Sequence, residues 1–402
     1  MLLNQSFPHQ ICINLERRAD RWQRMQAEFA RHGIERVQRF LAVDGGQVVL
    51  PASWGHSAGA YGCLLSHVAV VQEALAAGRE SVLIFEDDAV FDPEFDTKFA
   101  SFMKEVPADW GLLYFGALHK DEPVKVTEHV YRITKANSTY AYALKRTVFE
   151  DFIELNRRAE NVLDMNAYVL QERFKCYCFL PNLAWVQSEY SDVQNRLERH
   201  WYLEKSLVLF GAHVDRLLSE TAIVIAHRGP ANENSKFLEG YYREYFSPLA
   251  QVVLCDDFLA GISNSDLKTK FFLLTDDDLY LETLDVRANL LMCEEYDGAT
   301  GFSEVIELTP PQAQLLRETG ITRGIDVTAA TPAKDVRSQC RFLKREALDR
   351  YLNQHDRDST ALGRYFNQRD GDSAAPERYF NQRDRAARLF PSPNHALRLP
   401  QR

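Results

Sequence analysis

The 402-residue sequence contains no apolar run close to the ~18 residues of a membrane-spanning helix. Its first ten residues also lack the basic and then apolar pattern of a secretion leader, because they lead almost directly into a strand-like segment at residues 11–15. An excess of positive charge is missing as well, since 47 Lys and Arg against 57 Asp and Glu give a net charge of -10. We therefore expect a cytoplasmic protein that does not bind nucleic acid.

Regularly spaced cysteines are also lacking. The seven cysteines are Cys12, Cys63, Cys176, Cys178, Cys255, Cys293 and Cys340. No spacing among them matches a zinc site with four ligands, and several lie in apolar runs, so we expect reduced thiols in the core. The length and the 46% hydrophobic content are sufficient for two domains with substantial cores.

The sequence does contain an apolar segment, residues 82–85, that runs directly into three carboxylates, Glu86, Asp87 and Asp88. This pattern is typical of a buried central strand whose carboxyl end opens into a ligand crevice. Neighbouring carboxylates repel each other, by roughly 4 kcal/mol for a pair about 4 Å apart at an effective dielectric near 20. We therefore expect a divalent cation there, and oxygen ligands favour Mg²⁺ or Mn²⁺. An acidic loop after a buried strand is the alternative.

A basic turn follows the first predicted strand and precedes a helix. Arg17, Arg18 and Arg21 in this turn could bind a diphosphate, helped by the free N–H groups of the first helical turn. A solvated turn in which Arg18 or Arg21 pairs with Asp20 is the alternative.

Gly62 opens a second predicted helix, which has apolar residues on one face and Ser66 and His67 beside that face. His67 is either a packed, hydrogen-bonded side chain or a group that contacts a substrate hydroxyl.

Further strands are predicted at residues 110–116, 139–144 and 174–181. Asp164 lies in an apolar setting between them and could be a general base or a helix N-cap. Alternating strands and helices predict a parallel or mixed α/β domain.

Three ordered motifs of this first half resemble glycosyltransferase family 25, and the resemblance covers roughly residues 9–210. The motifs are Asn14 to Trp22, Gly59 to His67 and Leu83 to Asp88. The family includes bacterial lipopolysaccharide galactosyltransferases and collagen hydroxylysine galactosyltransferases. The loop from Gly45 to Gly59 differs from the forms in the family, so the acceptor is not specified.

The resemblance implies a GT-A fold, Rossmann-like with a mixed and mostly parallel sheet. It also implies an inverting transfer of a hexose, expected to be galactose, from a nucleotide sugar such as a UDP-hexose to a hydroxyl of a cell-surface glycan or lipid-linked glycan such as lipopolysaccharide. Glu86 and Asp88 would hold Mn²⁺ or Mg²⁺, with Asp88 in direct contact. The donor would be bound by Asn14, Arg17, Arg18, Arg21, Glu86 and Asp87. The expected base is Asp164, with Asp192 as a rival, and the acceptor or loop candidates are Ser66, His67 and Gln187.

A new pattern starts at Thr221, after a predicted domain at 1–212 and a helical linker at 213–220. Another apolar strand, residues 270–275, ends in three carboxylates, Asp276, Asp277 and Asp278. Residues 221–349 resemble a smaller GT-A-like α/β domain with Asp276 and Asp278 as metal ligands. This domain could be a second transferase or a decayed copy that serves as a docking surface.

The predicted tail, residues 350–402, contains three copies of a seven-residue pattern that begin at Arg350, Arg364 and Arg378, a 14-residue step. Helical copies at this step would present the same face each time. Ten Arg and six acids give the tail a net charge of +4. It could contact an anionic membrane surface peripherally or the chain's own body, and a partly disordered duplication is the alternative.

Two other functions are compatible with the sequence. A sugar-phosphate nucleotidyltransferase would use the same acids and basic turn, but it would release pyrophosphate. A catalytically silent glycan-binding or scaffold protein would bind no nucleotide sugar in a metal-dependent way.

Overall fold

The computed structural model describes most of the chain up to residue 300 and shorter parts beyond it. The described residues are 2–187, 190–193, 196–197, 200–227, 231–256, 258–263, 265, 269–277, 279–296, 298–300, 304–307, 313–314, 316, 340–354, 389–390 and 395–398. The chain divides into two compact units, residues 1–211 and 212–402. Within the described residues, no helix has both the length and the apolar character needed to cross a membrane.

The first unit consists of seven α-helices and fourteen strands among its described residues. Its helices are Leu2–Ser6 (α1), Ala19–Arg31 (α2), Ala58–Ala76 (α3), Phe95–Phe102 (α4), Arg146–Arg157 (α5), Leu163–Arg173 (α6) and Trp201–Glu204 (α7). Its strands are Gln10–Asn14 (β1), Val37–Leu41 (β2), Ser81–Glu86 (β3), Ala89–Phe91 (β4), Leu112–Tyr114 (β5), Leu118–His119 (β6), Val124–Lys125 (β7), Val130–Arg132 (β8), Ala136–Asn137 (β9), Ala141–Lys145 (β10), Cys176–Phe179 (β11), Ala184–Val186 (β12), Tyr190–Ser191 (β13) and Arg196–Leu197 (β14).

The main sheet of the first unit has the order β2-β1-β3-β10-β5-β11-β8-β7. Strand β1 pairs in parallel with β2 and β3, β10 is antiparallel to β3 and β5, and β11 is parallel to β5. The apolar residues of β3 are buried, which its apolar sequence predicts for a strand covered on both faces. The predicted mixed α/β fold is confirmed.

Two glycines allow helix α3 to pack closely against neighbouring backbone. A Cβ on Gly62 would lie 2.4 Å from the carbonyl oxygen of Val43, and a Cβ on Gly59 would lie 2.6 Å from that of Asp192. The helix begins after Ser57, whose hydroxyl accepts a hydrogen bond from the amide of Ala60. The glycines therefore bring the start of α3 under two loops at the carboxyl edge of the sheet.

The described part of the second unit contains five helices and nine strands. Its helices are Ala212–Ser219 (α8), Glu233–Phe246 (α9), Phe258–Ser263 (α10), Thr283–Glu295 (α11) and Arg345–Gln354 (α12). Its strands are Thr221–Ala226 (β15), Gln251–Cys255 (β16), Phe271–Asp276 (β17), Leu279–Tyr280 (β18), Gly298–Thr300 (β19), Glu304–Glu307 (β20), Cys340–Lys344 (β21), Leu389–Phe390 (β22) and His395–Arg398 (β23).

The sheet of the second unit has the order β16-β15-β17-β21-β19-β22. Strand β15 is parallel to β16 and β17, and β21 is antiparallel to β17 and β19. Strand β22 is parallel to β19, and β23 is antiparallel to β18. Strands β22 and β23 lie in the predicted tail, so the second unit extends beyond the predicted boundary at residue 349. The second and third copies of the 14-residue repeat, at 364–370 and 378–384, lie outside the described residues.

Candidate active site

The acids of the first unit lie where two parallel strands end. Strand β3 ends at Glu86, and Asp87 and Asp88 form the turn before β4. In the neighbouring strand β1, Ile13 lies opposite Glu86, so Asn14 comes next to the acidic turn. The turn after β1 and the turn after β3 therefore meet at one edge of the sheet, as parallel pairing requires.

Both carboxylate oxygens of Asp87 accept hydrogen bonds. Arg21 Nη1 donates to Oδ1 at 2.9 Å, and Asn14 Nδ2 donates to Oδ2 at 2.6 Å. The other end of the Asn14 amide accepts from Arg39 Nε at 2.9 Å, which fixes its orientation. Burial raises the pKa of Asp87, and Arg21 and Asn14 act against this rise. The structure thus brings three predicted donor-site residues together around one buried ion pair.

Asp88 lies beside this pair and closer to solvent. Its Oδ2 is 3.5 Å from Arg21 Nη1, and its backbone oxygen accepts from the amide of Gln187 at 2.8 Å. This last contact continues the antiparallel pairing of β4 with β12. The side chain of Gln187 is exposed. The structure therefore places Gln187 next to the acidic turn.

Glu86 is held from two sides. The Thr139 hydroxyl donates to Oε1 at 2.6 Å, and His67 Nε2 lies 3.4 Å from the same oxygen. His67 Nδ1 is 2.9 Å from the hydroxyl of Tyr142, and the imidazole is fully buried. Burial alone would raise the pKa of Glu86, but His67, Thr139 and Arg21 together lower it. Glu86 is therefore held as a carboxylate.

Asp164 lies in the first turn of α6, and its Oδ1 accepts from the amide of Ser138 at 2.9 Å. Ser138 has a φ of 102°, a strained conformation for a residue with a side chain. The next residue, Thr139, binds Glu86, so one short segment holds two carboxylates. Burial raises the pKa of Asp164, and the charge of Glu86 raises it further.

Asp192 has different surroundings, because two arginines bind it. Arg17 Nη1 is 2.8 Å from Oδ1 and Arg18 Nη1 is 2.5 Å from Oδ2. Arg18 also pairs with Asp20 at 2.9 Å, the pairing expected for a solvated turn. Burial would raise the pKa of Asp192, but the two arginines outweigh burial and lower it. The basic turn is thus divided, with Arg21 at the acids and the other two arginines at Asp192.

Ser66 has a structural position. It is fully buried, its hydroxyl donates to the carbonyl oxygen of Gly62 at 2.7 Å, and it accepts from the amide of Val43 at 2.8 Å. Both contacts tie helix α3 to the loop after β2. Ser66 therefore supports the edge of the site rather than facing a substrate.

The sequence analysis missed the roles of Arg39, Ser138, Thr139 and Tyr142. Residues 139–144 were predicted only as a strand, and no local pattern shows which of its side chains faces the acids. The alternation of strand side chains groups Tyr140 with Tyr142, but the neighbour of each depends on the pairing of β10 with β3.

The second unit has an acidic turn at the equivalent edge. Asp276 ends β17, and Asp277 Oδ2 accepts from Asn232 Nδ2 at 2.8 Å. Both aspartates are buried. The other predicted metal ligand of this unit, Asp278, lies outside the described residues.

Comparison with known proteins shows what the first unit is similar to. Residues 7–175 match the family model described as glycosyltransferase family 25 (LPS biosynthesis protein), which confirms the predicted resemblance. A glycosyltransferase 25 family member of Aedes aegypti is 35% identical over 127 residues, which are 27% of this chain and 21% of that protein. A putative glycosyltransferase of Acanthamoeba polyphaga mimivirus is 26% identical over 48% of this chain and 68% of its own length. Procollagen galactosyltransferase 1 of Danio rerio is 30% identical over 33% of this chain and 26% of its own length. This chain thus spans about a fifth of the Aedes protein and about a quarter of the zebrafish one.

Proposed function

We propose, from the match of residues 7–175 to the family model of glycosyltransferase family 25, that the first unit transfers a hexose, galactose in the first instance, from a nucleotide sugar to a hydroxyl of a glycan. The transfer inverts the anomeric carbon and depends on a divalent cation. The observation that supports this most strongly is the meeting of Asn14, Arg21 and the acidic turn at one edge of the sheet. The acceptor is a cell-surface glycan or a lipid-linked precursor.

The acidic turn suits Mn²⁺ or Mg²⁺. Asp88 is the best candidate for direct contact, because its side chain is more exposed than that of Asp87 beside it. These cations commonly take one or two carboxylates and complete their shell with water and phosphate oxygens. When bound, the cation would stabilise the charge that develops on the leaving diphosphate.

Arg17 and Arg18 are candidates for binding the donor diphosphate. In this structure their guanidinium groups bind the Asp192 carboxylate, an anion that a diphosphate could replace with the same type of charge-assisted hydrogen bond. Arg21 has another role, because its contact with Asp87 offsets one of the negative charges of the acidic turn. Loss of Arg17 should therefore weaken donor binding more selectively than loss of Arg21.

Asp164 is the better candidate for the base. In an inverting displacement the acceptor hydroxyl gives its proton to a carboxylate while its oxygen attacks the anomeric carbon, and the bond to the nucleoside diphosphate breaks. A base works best when its pKa lies near the working pH. The pKa of Asp164 is raised and that of Asp192 is lowered. This supports Asp164 over its rival.

Incubation of the purified protein with Mn²⁺ and a panel of nucleotide sugars tests the proposal. We expect release of a nucleoside diphosphate from one donor, UDP-galactose in the first instance. Release of pyrophosphate from a sugar phosphate and a nucleoside triphosphate would support the nucleotidyltransferase instead. Failure of every donor to bind in the presence of Mn²⁺ would favour the silent glycan-binding protein.

The role of Asp164 is tested by Asp164→Asn, with Asp192→Asn as its matched control. Removal of a general base typically costs about 10²–10⁴-fold in rate. We expect Asp164→Asn to lose transfer by this order while it still binds the donor. In Asp192→Asn the transfer rate should still fall at low pH, because the base Asp164 is still present. If that fall disappears in Asp192→Asn instead, the base is Asp192.

A further inference from the structure

A second cluster of potential metal ligands lies behind the acidic turn. Cys63 and His67 are one turn apart on helix α3, and both point toward the end of β3. Cys63 Sγ, a ring nitrogen of His67 and a carboxylate oxygen of Glu86 all lie within 4.8 Å of one another. We infer that Cys63, His67 and Glu86 form a binding site for Zn²⁺, separate from the Mn²⁺ or Mg²⁺ expected at Asp88.

The distance between two of the ligand atoms suits a tetrahedral ion. His67 Nε2 lies 3.4 Å from Glu86 Oε1. Two ligands about 2.1 Å from a tetrahedral zinc ion are about 3.4 Å apart, so these two atoms need little movement. The nitrogen is buried, and Glu86 is the only polar partner that the described residues offer it. A buried ring nitrogen aimed at a carboxylate and a thiol is the arrangement that a zinc ion completes.

The surrounding residues orient the ligands. The ring nitrogen of His67 on the other side, Nδ1, lies 2.9 Å from the Tyr142 hydroxyl, and Glu86 Oε1 accepts from Thr139 at 2.6 Å. Zinc ligands usually have such outer hydrogen bonds, which fix the tautomer of the histidine and the direction of the carboxylate. Three protein ligands leave a fourth position for water or a substrate atom.

The charges and the ligand types distinguish this site from the one at Asp88. A thiolate and a carboxylate balance the two charges of Zn²⁺, which a half-buried site requires. A thiolate is a soft ligand that selects zinc or related ions over Mg²⁺. Burial and the nearby acids raise the pKa of Cys63, so the thiol must release its proton when the ion binds. Cys63 and Glu86 are both partly exposed, which gives the ion a route of entry.

Cobalt substitution tests the site, because a thiolate bound to Co²⁺ gives a charge-transfer absorption band that oxygen ligands do not give. We expect the chelator-treated protein to develop this band with one equivalent of Co²⁺, and excess Zn²⁺ but not Mg²⁺ to remove it. Cys63→Ala should abolish the band and Cys12→Ala should keep it. Cys12 is the matched control because it is a buried thiol near the same acids.

Labelling of the unmodified chain gives a second test that needs no variant. Zn²⁺ should slow alkylation of Cys63 by iodoacetamide at least tenfold, as followed by mass spectrometry of the Cys63 peptide. Absence of the cobalt band in the wild-type protein, or a band that persists in Cys63→Ala, would overturn the inference. Both readouts are independent of transfer activity, so failure of the proposed transferase reaction would leave them unchanged.

Discussion

The main sheets of the two units have the same topology. The order β2-β1-β3-β10-β5-β11 of the first unit corresponds strand by strand to β16-β15-β17-β21-β19-β22 of the second, with the same parallel and antiparallel neighbours. The small ladder of β4 with β12 corresponds to that of β18 with β23. In both units an asparagine donates to the aspartate that follows the central strand by one residue. The second unit is therefore a topological copy of the first.

The units differ in how the following helix begins. In α9 the third residue is Ser235, which forms a capping box with Asn232. In α2 the third residue is Arg21, the N-cap Arg18 forms no capping hydrogen bond through its side chain, and the arginine at the third position extends to the acids. A capping box stabilises its own helix, whereas an arginine in this place balances an acidic turn. One fold thus uses the same helix position for stability in one unit and for the site in the other.

The largest expected difference between the units is in donor turnover. Asp88→Asn removes a carboxylate that would bind the cation, and we expect at least about a 100-fold loss of nucleotide-sugar turnover. Asp276→Asn removes an acid of the equivalent turn in the second unit, where Asp276 ends the central strand as Glu86 does in the first, and it should leave turnover unchanged. Assays of both variants with Mn²⁺ on one donor measure this. A loss in Asp276→Asn alone would move the active site to the second unit.

The next largest difference is in the free energy of unfolding that is lost when the third helix residue of each unit is replaced. Arg21→Ala leaves the buried Asp87 carboxylate without its charged partner, and breaking such a pair costs about 3–5 kcal/mol. Ser235→Ala removes one side of a capping box and should cost about 1 kcal/mol. Urea unfolding, monitored by circular dichroism, measures how far each variant shifts the midpoint of the transition. Equal shifts would mean that the acidic turn does not depend on Arg21.

Asp164→Asn should show that the first unit holds this carboxylate at a cost in stability. An amide oxygen can still accept from Ser138, while the buried charge disappears. Because the pKa of Asp164 is raised in the folded protein, its charged form destabilises the fold above that pKa, and the cost vanishes as the pH falls below the unfolded value of 3.8. We therefore expect the variant to be at least as stable as wild type at neutral pH. Its advantage, measured by urea midpoints across pH, should shrink on acidification.

The smallest effect concerns one glycine in each unit. Gly240 lies within α9, and a Cβ at this position would have nothing within 4 Å, so Gly240→Ala should stabilise the chain by about 0.5–1 kcal/mol. Gly59 lies in α3 under the backbone of Asp192, so Gly59→Ala should destabilise the first unit by displacing residues 190–193. Urea midpoints of the two variants measure these effects. A stabilising Gly59→Ala would contradict this account of the loop contact.

The sequence alone was sufficient for features that depend on local patterns. An apolar run followed by acids predicted β3 and the acidic turn after it, and the alternation of strands and helices predicted the α/β fold. The partners of the acids depend on register, since Asn14 contacts Asp87 only because Ile13 pairs with Glu86. The basic turn shows the same limit. Arg17 and Arg18 precede α2 and bind Asp192, whereas Arg21 lies in the first turn of α2 and binds Asp87. Only contacts across the fold decide this division.

Strands β22 and β23 could not be predicted for a related reason. They have two and four residues, and β22 pairs with β19 about 90 residues earlier in the chain. Such short segments have no detectable alternation, and their pairing is non-local. The cluster of Cys63, His67 and Glu86 could not be predicted from the sequence, because its members come from a helix and a strand. Sequence spacing alone relates only Cys63 to His67.

The late position of β23 has a consequence for synthesis of the chain. The first unit has all its described strands once residue 197 has been made, whereas the second must wait for residue 398 to pair β23 with β18 and β20. At about 5–20 residues per second, the ribosome needs tens of seconds more for this step. The first unit can therefore fold during translation. Until β23 has been made, the second unit has unpaired strand edges. We therefore expect chaperones to bind this part of the nascent chain.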